Sequence, residues 1–118
     1  MFEKIKCFIL DMDGTIYLGN ELFSYTKEFL KKVDETGRKY YFFTNNSSKS
    51  QQDYIEKFEK FEIRIKSQQM MTSTHVISRY LKQHYEGKSV YVVGTPSLIQ
   101  EFQYFGVNVT EEDPDIVV

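Results

Sequence analysis

The sequence predicts an α/β fold, with a parallel sheet that carries helices on both faces. Apolar runs of strand length alternate along the chain with stripes of apolar residues at three- and four-residue spacing. The runs are typical of buried parallel strands, and the stripes are typical of helices that cover a sheet. Because strand and helix signals alternate throughout, right-handed crossovers are the expected connections.

The first half of the chain predicts two strands and two helices. Residues 6–10 form the first strand-like run, and residues 39–43 form the second. The stripe between them stops before Gly37, a residue type suited to ending a helix. That stripe consists of Leu22, Tyr25, Phe29, Leu30 and Val33, and the stripe after the second run consists of Tyr54, Ile55, Phe58 and Phe61.

The second half repeats the pattern. The clearest later strand is 89–94, and residues 115–118 open one more strand. Residues 94–97, Gly-Thr-Pro-Ser, predict a turn from strand into helix, because proline is favoured in the first turn of a helix. The two further stripes are Val76, Ile77, Tyr80, Leu81 and His84, and then Leu98, Ile99, Phe102 and Phe105 before Gly106.

Length and composition limit the class of protein. A chain of 118 residues fits one domain, and its net charge of -2 gives no reason to expect nucleic acid or an anionic membrane as a partner. No stretch reaches the length of a membrane span, and the start lacks a signal-peptide pattern, so the cytoplasm is the expected location. The single cysteine, Cys7, lies in the first strand and is expected to be a buried structural thiol.

Two carboxylates directly follow the first strand. Asp11 and Asp13 are one residue apart and are followed by Gly14 and Thr15. In open α/β sheets, ligands bind outside the carboxyl ends of the strands. Two negative charges held together there need a compensating group, and Mg²⁺ suits them because it prefers oxygen ligands and often takes only one or two carboxylates. The structural alternative is an Asx-type turn, in which both acids only cap backbone amides.

Polar donors also follow the second strand. Thr44 and Asn45 come first, and a helix is expected shortly after them. A hydroxyl, an amide and the partial positive charge of a helix N-terminus are groups that hold phosphate oxygens. For Ser48 and Ser50 the preferred interpretation is a helix N-cap.

These two segments resemble a known family. The motif Asp-Met-Asp-Gly-Thr at 11–15 resembles the first motif of the haloacid dehalogenase (HAD) superfamily of phosphohydrolases, and Ile-Tyr-Leu-Gly at 16–19 resembles its NagD-like, p-nitrophenylphosphatase branch. The segment that begins Thr-Asn-Asn at 44–46 resembles the second motif of the superfamily. The resemblance implies a Rossmann-like HAD core sheet.

The resemblance also implies roles for four residues. Asp11 would attack phosphorus and form an aspartyl-phosphate, and Asp13 would act as general acid and base. Thr44 would bind the transferring phosphoryl group with the help of Asn45. Mg²⁺ would be held by the side chain of Asp11 and the backbone carbonyl of Asp13, and the substrate would be a small phosphorylated metabolite.

The family's later motifs have no counterpart in this chain. HAD phosphatases complete the site with a lysine and with a Gly-Asp acidic motif, and none of the six glycines here is followed by aspartate. Residues 1–118 are therefore expected to be the N-terminal part of a HAD-like core domain, without the cap domain and the C-terminal part of the core. An incomplete sheet of this kind would invite self-association.

Three functions follow as hypotheses. The first is a Mg²⁺-dependent phosphohydrolase of which this chain is a fragment, weak or inactive alone. The second is a non-catalytic phosphate-binding or interaction module with a HAD-like half fold. The third is a phosphotransfer receiver, which also carries an aspartate at a strand end but places it on a later strand.

Overall fold

The computed structural model describes residues 3–46 and 48–118, and its elements follow the predicted alternation of strand and helix. The strands are β1 (Cys7–Leu10), β2 (Tyr17–Leu18), β3 (Glu21–Leu22), β4 (Lys39–Thr44), β5 (Met70–Thr72), β6 (Ser89–Tyr91), β7 (Asn108–Val109) and β8 (Ile116–Val117). The helices are α1 (Thr26–Glu35), α2 (Gln51–Lys60), α3 (Ser73–His84) and α4 (Pro96–Tyr104), and a 3₁₀ turn covers Ser67–Gln69.

The described residues form two compact units, each with its own sheet. The first unit comprises Met1–Thr44 and Ile55–Met71, and the second comprises Asn45–Tyr54 and Thr72–Val118. Strand order is β1-β4-β5 in one three-stranded sheet and β7-β6-β8 in the other, and β2 and β3 form a separate two-stranded sheet. The predicted α/β class with parallel pairing is confirmed. The assignment of both units to one core domain stays a prediction.

Aromatic side chains form much of the core of the first unit. β1 and β4 pair in parallel, with Leu10 opposite Phe42. The ring of Phe42 is fully buried and lies 4.6 Å from the ring of Phe58, and the ring of Tyr17 lies 6.1 Å from that of Phe58. Helix α1 buries Leu30 and Val33, as its predicted stripe requires. This core supports the carboxyl ends of β1 and β4, where the candidate site begins.

The second unit packs α3 and α4 against its own parallel strands. β6 pairs in parallel with β7 and with β8. The buried cluster consists of Leu81, Val90, Val92, Leu98, Phe102 and Val107. Thr95 is the N-cap of α4 and accepts a hydrogen bond from the amide of Leu98, and Pro96 lies in the first turn. The predicted strand-to-helix turn at 94–97 is thus confirmed.

One face of the first sheet is apolar and exposed. Ile9 is 76% exposed, and Tyr41, its partner across the parallel pair, lies on the same face. Cys7 is exposed on this face, so the prediction of a buried thiol is wrong. The reason is that an apolar run predicts a strand but does not reveal whether both of its faces are covered. We call this surface the open sheet face. It consists of Cys7, Ile9, Tyr41, Phe43 and Met71.

Two helices differ in detail from their predicted stripes. Helix α1 begins only at Thr26, because Leu22 belongs to β3. On α3 the predicted stripe is partly wrong, since Val76 and Tyr80 are 50% and 52% exposed. The small residues Thr74 and Ser78 are buried instead. Among the described residues, no helix is long and apolar enough to cross a membrane.

Candidate phosphoryl-transfer site

The acidic loop after β1 is closed by backbone hydrogen bonds. Met12 is fully buried, and its carbonyl accepts hydrogen bonds from the amides of Thr15 at 3.1 Å and Ile16 at 2.9 Å. The amide of Gly14 donates to the carbonyl of Tyr17 at 2.8 Å, and Gly14 has a φ of 81°, which favours glycine. The turn is therefore held by carbonyls and not by the two carboxylates, which argues against the Asx-type alternative.

Asp11 and Asp13 are both exposed on either side of the buried Met12. Among the residues that the structure describes, neither carboxylate has an ion-pair or hydrogen-bond partner. Two carboxylates one residue apart, with no ion-pair partner in the described part of the chain, form an oxygen-rich donor set. Such a set fits a hard divalent ion, which takes one or two carboxylates and fills its other positions with water and phosphate oxygens. No group of three His, Cys, Asp or Glu residues capable of holding a metal occurs in residues 3–46 and 48–118.

A small hairpin follows the acidic loop and was not predicted. β2 and β3 pair antiparallel, with Tyr17 opposite Leu22, and Gly19 has a φ of 57° between them. The buried hydroxyl of Thr26 donates to the carbonyl of Ile16 at 2.8 Å and connects α1 to the loop. The dipeptide Gly19-Asn20 is a two-residue hairpin signal and could have revealed this element.

Thr44 ends the strand next to the acidic loop. Asp11 directly follows Leu10, whose partner in the register is Phe42, and Thr44 lies two residues beyond Phe42. Because adjacent strands are about 4.8 Å apart, Thr44 and the acidic loop share one edge of the sheet. Thr44 is only 2% exposed. The exposed Asn45 follows it in the chain and belongs to the second unit.

Backbone amides at the start of α2 donate hydrogen bonds to side chains of the same chain. The amide of Ser50 donates to Asp53 Oδ2 at 2.7 Å, and the amide of Asp53 donates to Ser50 Oγ at 3.2 Å, which confirms Ser50 as an N-cap. The amide of Gln51 donates to Glu101 Oε1 at 2.6 Å. The expectation that this helix N-terminus is available to phosphate is therefore wrong for these three amides, because the chain's own side chains already occupy them.

Hydrogen bonds also set the acidity of Asp53. Partial burial acts to raise the pKa of Asp53, but the amide of Ser50, the hydroxyls of Ser97 and Ser50, and the charge of Lys49 together outweigh it. The pKa of Asp53 therefore lies below its ordinary value. The carboxylate form, which accepts these hydrogen bonds, is thus favoured.

Glu101 and His75 form a second polar cluster, and both residues belong to the second unit. Glu101 is 5% exposed, and its Oε2 accepts a hydrogen bond from Thr72 Oγ1 at 3.5 Å. His75 Nδ1 accepts from the amide of Thr72 at 3.3 Å, so the neutral ring carries its proton on Nε2. The ring of His75 lies 4.2 Å from that of Phe105. Burial lowers the pKa of His75, and the negative charge of Glu101 only partly offsets this.

Acidification should destabilise this unit through His75. Its folded-state pKa is lowered, so the unfolded chain binds more protons as the pH falls below the ordinary value of about 6.5. The stabilisation is therefore present in full above that pH and decreases below it. We expect the melting temperature to fall between pH 7 and pH 5, and to fall less in His75→Gln. The control is His84→Gln, and an equal pH dependence of His75→Gln and the unaltered chain would contradict the expectation.

Comparison with known proteins decides the family. A family model described as haloacid dehalogenase-like hydrolase matches residues 8–108. The chain belongs to this family. The match includes the acidic loop, β4 and the segment after Thr44, which are the elements that position the candidate site.

The named relatives of this chain include a 5'-nucleotidase and a 4-nitrophenylphosphatase. The 5'-nucleotidase YutF of Bacillus subtilis is 31% identical over 116 residues, which cover 98% of this chain and 45% of that protein. The 4-nitrophenylphosphatase of Thermotoga maritima superimposes with a TM-score of 0.91 at 36% identity, covering 97% of this chain and 44% of that one. NagD of Escherichia coli K-12 gives 0.81 at 31% identity, with 96% and 45% covered. The predicted NagD-like resemblance is confirmed, and the chain spans less than half the length of these relatives.

Proposed function

We propose that the chain is part of a Mg²⁺-dependent phosphohydrolase that acts on small phosphomonoesters through an aspartyl-phosphate. The observation that carries the proposal is the pair Asp11 and Asp13, exposed at the carboxyl end of β1 on a loop closed by backbone. The phosphatase names of the relatives support the same chemistry. A parallel-strand carboxyl edge is where α/β proteins bind ligands.

In the proposed first step, a carboxylate oxygen of Asp11 attacks phosphorus and the ester P–O bond breaks. Asp13, protonated, gives its proton to the leaving alkoxide, which departs as the alcohol. In the second step Asp13, now a carboxylate, takes a proton from water, and the hydroxide attacks phosphorus and releases Asp11. The two steps consume one water and yield one alcohol and one phosphate.

The proposed metal site consists of oxygen donors on the same loop. The side chain of Asp11 and the backbone carbonyl of Asp13 would hold Mg²⁺, together with water and a phosphate oxygen. When bound, the ion supplies charge neutralisation for the phosphoryl oxygens. Thr44 and Asn45 are proposed to bind the phosphoryl group from the neighbouring strand end, which is supported by the position of Thr44 at the edge shared with the acidic loop.

The remaining catalytic groups are proposed to come from polypeptide beyond these 118 residues. Relatives with the same fold are more than twice as long as the stretch matched here, since that stretch covers 44–46% of solved structures such as the 4-nitrophenylphosphatase of Thermotoga maritima. A lysine and further acids would complete the metal and phosphate sites, and without them several kcal/mol of transition-state stabilisation would be missing. The isolated chain is therefore expected to turn over substrate weakly or not at all.

Asp13→Asn tests the proposed mechanism through the leaving group. p-Nitrophenolate departs without a proton, whereas an alkyl alkoxide needs one, so loss of the general acid should slow alkyl phosphates far more. We expect the rate with an alkyl phosphate to fall at least about 10²-fold more than the rate with p-nitrophenyl phosphate. The measurement is Mg²⁺-dependent phosphate release by the natural gene product that contains this chain.

Asp113→Asn is the matched control, because Asp113 is also exposed and its φ of 44° is tolerated by asparagine. Equal losses of rate on the alkyl phosphate and on p-nitrophenyl phosphate in Asp13→Asn would contradict the role of Asp13 as general acid. Tight phosphate binding without turnover in the natural gene product would favour the non-catalytic phosphate-binding module instead.

A further inference from the structure

Two hydroxyl groups at the start of α1 hold the acidic loop. Thr26, the first residue of α1, donates through Oγ1 to the carbonyl of Ile16 at 2.8 Å. Tyr25, the residue before it, donates through its hydroxyl to the carbonyl of Thr15 at 3.0 Å. All four residues belong to the first unit. Two successive carbonyls of the loop are therefore bound by two successive residues at the start of the helix.

The two hydroxyl contacts differ in their surroundings. Thr26 is 1% exposed, so its hydrogen bond has little competition from water, whereas Tyr25 is 56% exposed. The Ile16 carbonyl also accepts the amide of Phe23 at 3.2 Å, and the ring of Phe23 stacks on that of Tyr25 at 5.4 Å. Thr26 is thus the stronger of the two contacts.

The Thr26 contact reaches Asp13 through the backbone of the loop. Tyr17 follows Ile16 in the chain and pairs with Asp13 in an isolated parallel bridge. In this bridge the Gly14 amide donates to the Tyr17 carbonyl at 2.8 Å, and the Tyr17 amide donates to the Met12 carbonyl at 3.4 Å. Because these two hydrogen bonds lie on either side of Asp13, the position of its backbone depends on the position of Tyr17.

We propose that Thr26 is a positioning residue for Asp13, an inference that rests on the proposed function. Asp13 is the proposed general acid, and its backbone carbonyl is a proposed ligand of Mg²⁺. A small displacement of a catalytic group slows a reaction by a large factor. Thr26 acts through the carbonyl of Ile16 and the bridge to Tyr17, and Tyr25 adds a weaker contact of the same kind.

The holding of the loop is tested by amide exchange in the whole chain, without substrate or metal. Thr26→Val removes the hydroxyl and keeps the shape of the side chain, so the Gly14 amide should exchange about tenfold faster. Thr26→Ser keeps the hydroxyl and should restore most of the protection. Tyr25→Phe removes the exposed hydroxyl and should speed exchange only about twofold.

The positioning of Asp13 is tested by turnover of an alkyl phosphate and of p-nitrophenyl phosphate by the natural gene product, at saturating Mg²⁺. A displaced general acid should slow the alkyl phosphate more, since p-nitrophenolate departs without a proton. We expect Thr26→Val to lower the ratio of the alkyl rate to the p-nitrophenyl rate about fivefold, and Thr26→Ser to restore it. A loss of folded protein alone would lower both rates equally and leave the ratio unchanged.

Thr36→Val is the matched control for Thr26→Val. Thr36 Oγ1 donates to the carbonyl of Val33 at 2.8 Å, at the other end of α1. This variant should leave both the Gly14 exchange and the rate ratio unchanged. Exchange of the β4 amides reports whether a variant has lost stability as a whole.

Each outcome decides one of the claims. Unchanged Gly14 exchange in Thr26→Val would overturn the holding role, and faster exchange with an unchanged rate ratio would overturn the positioning role. If Thr26→Ser behaved like Thr26→Val, the hydroxyl would not be the group responsible and the inference would fail. If Asp13→Asn left the rate ratio unchanged while Gly14 exchange still responded to Thr26→Val, the general-acid role of Asp13 would fail and the holding of the loop would stand.

Discussion

Asp11→Asn is expected to lower phosphomonoester turnover by about 10³-fold or more, equivalent to roughly 4 kcal/mol of transition-state stabilisation. Asparagine has nearly the shape of aspartate but no anionic oxygen to attack phosphorus. Since the acidic loop is closed by the Met12 carbonyl and the Gly14 amide, the substitution should leave the backbone in place. The measurement is phosphate release by the natural gene product in the presence of Mg²⁺.

A second readout makes this result specific to the nucleophile. An acid-quenched sample of the unaltered protein should contain phosphate bound covalently at Asp11, and the variant should contain none. Asp113→Asn again serves as the control, with a rate close to that of the unaltered protein. If Asp11→Asn kept more than about a tenth of the rate, the aspartyl-phosphate mechanism would be untenable.

Phe42→Ala should destabilise the first unit by about 3–5 kcal/mol, the usual cost of removing a buried aromatic ring. Phe42 is fully buried, pairs with Leu10 in the sheet, and packs against Phe58. The expected drop in melting temperature is on the order of 10 °C or more. Chemical denaturation followed by circular dichroism measures the free energy of unfolding directly.

The matched control for Phe42→Ala is Tyr104→Ala, which removes an aromatic ring that is 83% exposed. Its effect should stay within about 0.5 kcal/mol, as for most surface substitutions. A loss below about 1 kcal/mol in Phe42→Ala would mean that the core tolerates the cavity and that Phe42 does not support the strand leading to Thr44.

Local patterns were enough to predict the elements that carry the candidate site. An apolar run followed by Asp-x-Asp-Gly predicts a strand and a tight turn, and the structure has both, with Gly14 in the left-handed region. The N-caps at Ser50 and Thr95 were predictable for the same reason, because the residues that form a cap are close together in sequence.

Features that depend on distant parts of the chain were not predictable in this way. Alternating strands and helices have the same sequence signature whatever the order in which the strands pair, so the strand orders β1-β4-β5 and β7-β6-β8 were not predictable from local patterns. The contact between Gln51 and Glu101 joins residues 50 positions apart, and no local pattern indicates it. On α3, both faces carry suitable residues, and the small Thr74 and Ser78 are the ones that pack inward.

The open sheet face has a practical consequence because it contains the chain's single cysteine. A thiol-specific reagent has one site to modify, and that site lies on the same strand as the exposed Ile9. The rate of modification of Cys7 under native conditions therefore reports how much of this surface is covered, whether by a second copy or by further polypeptide. The reactivity of Cys7 can therefore be used to measure whether the open sheet face is covered or accessible to solvent.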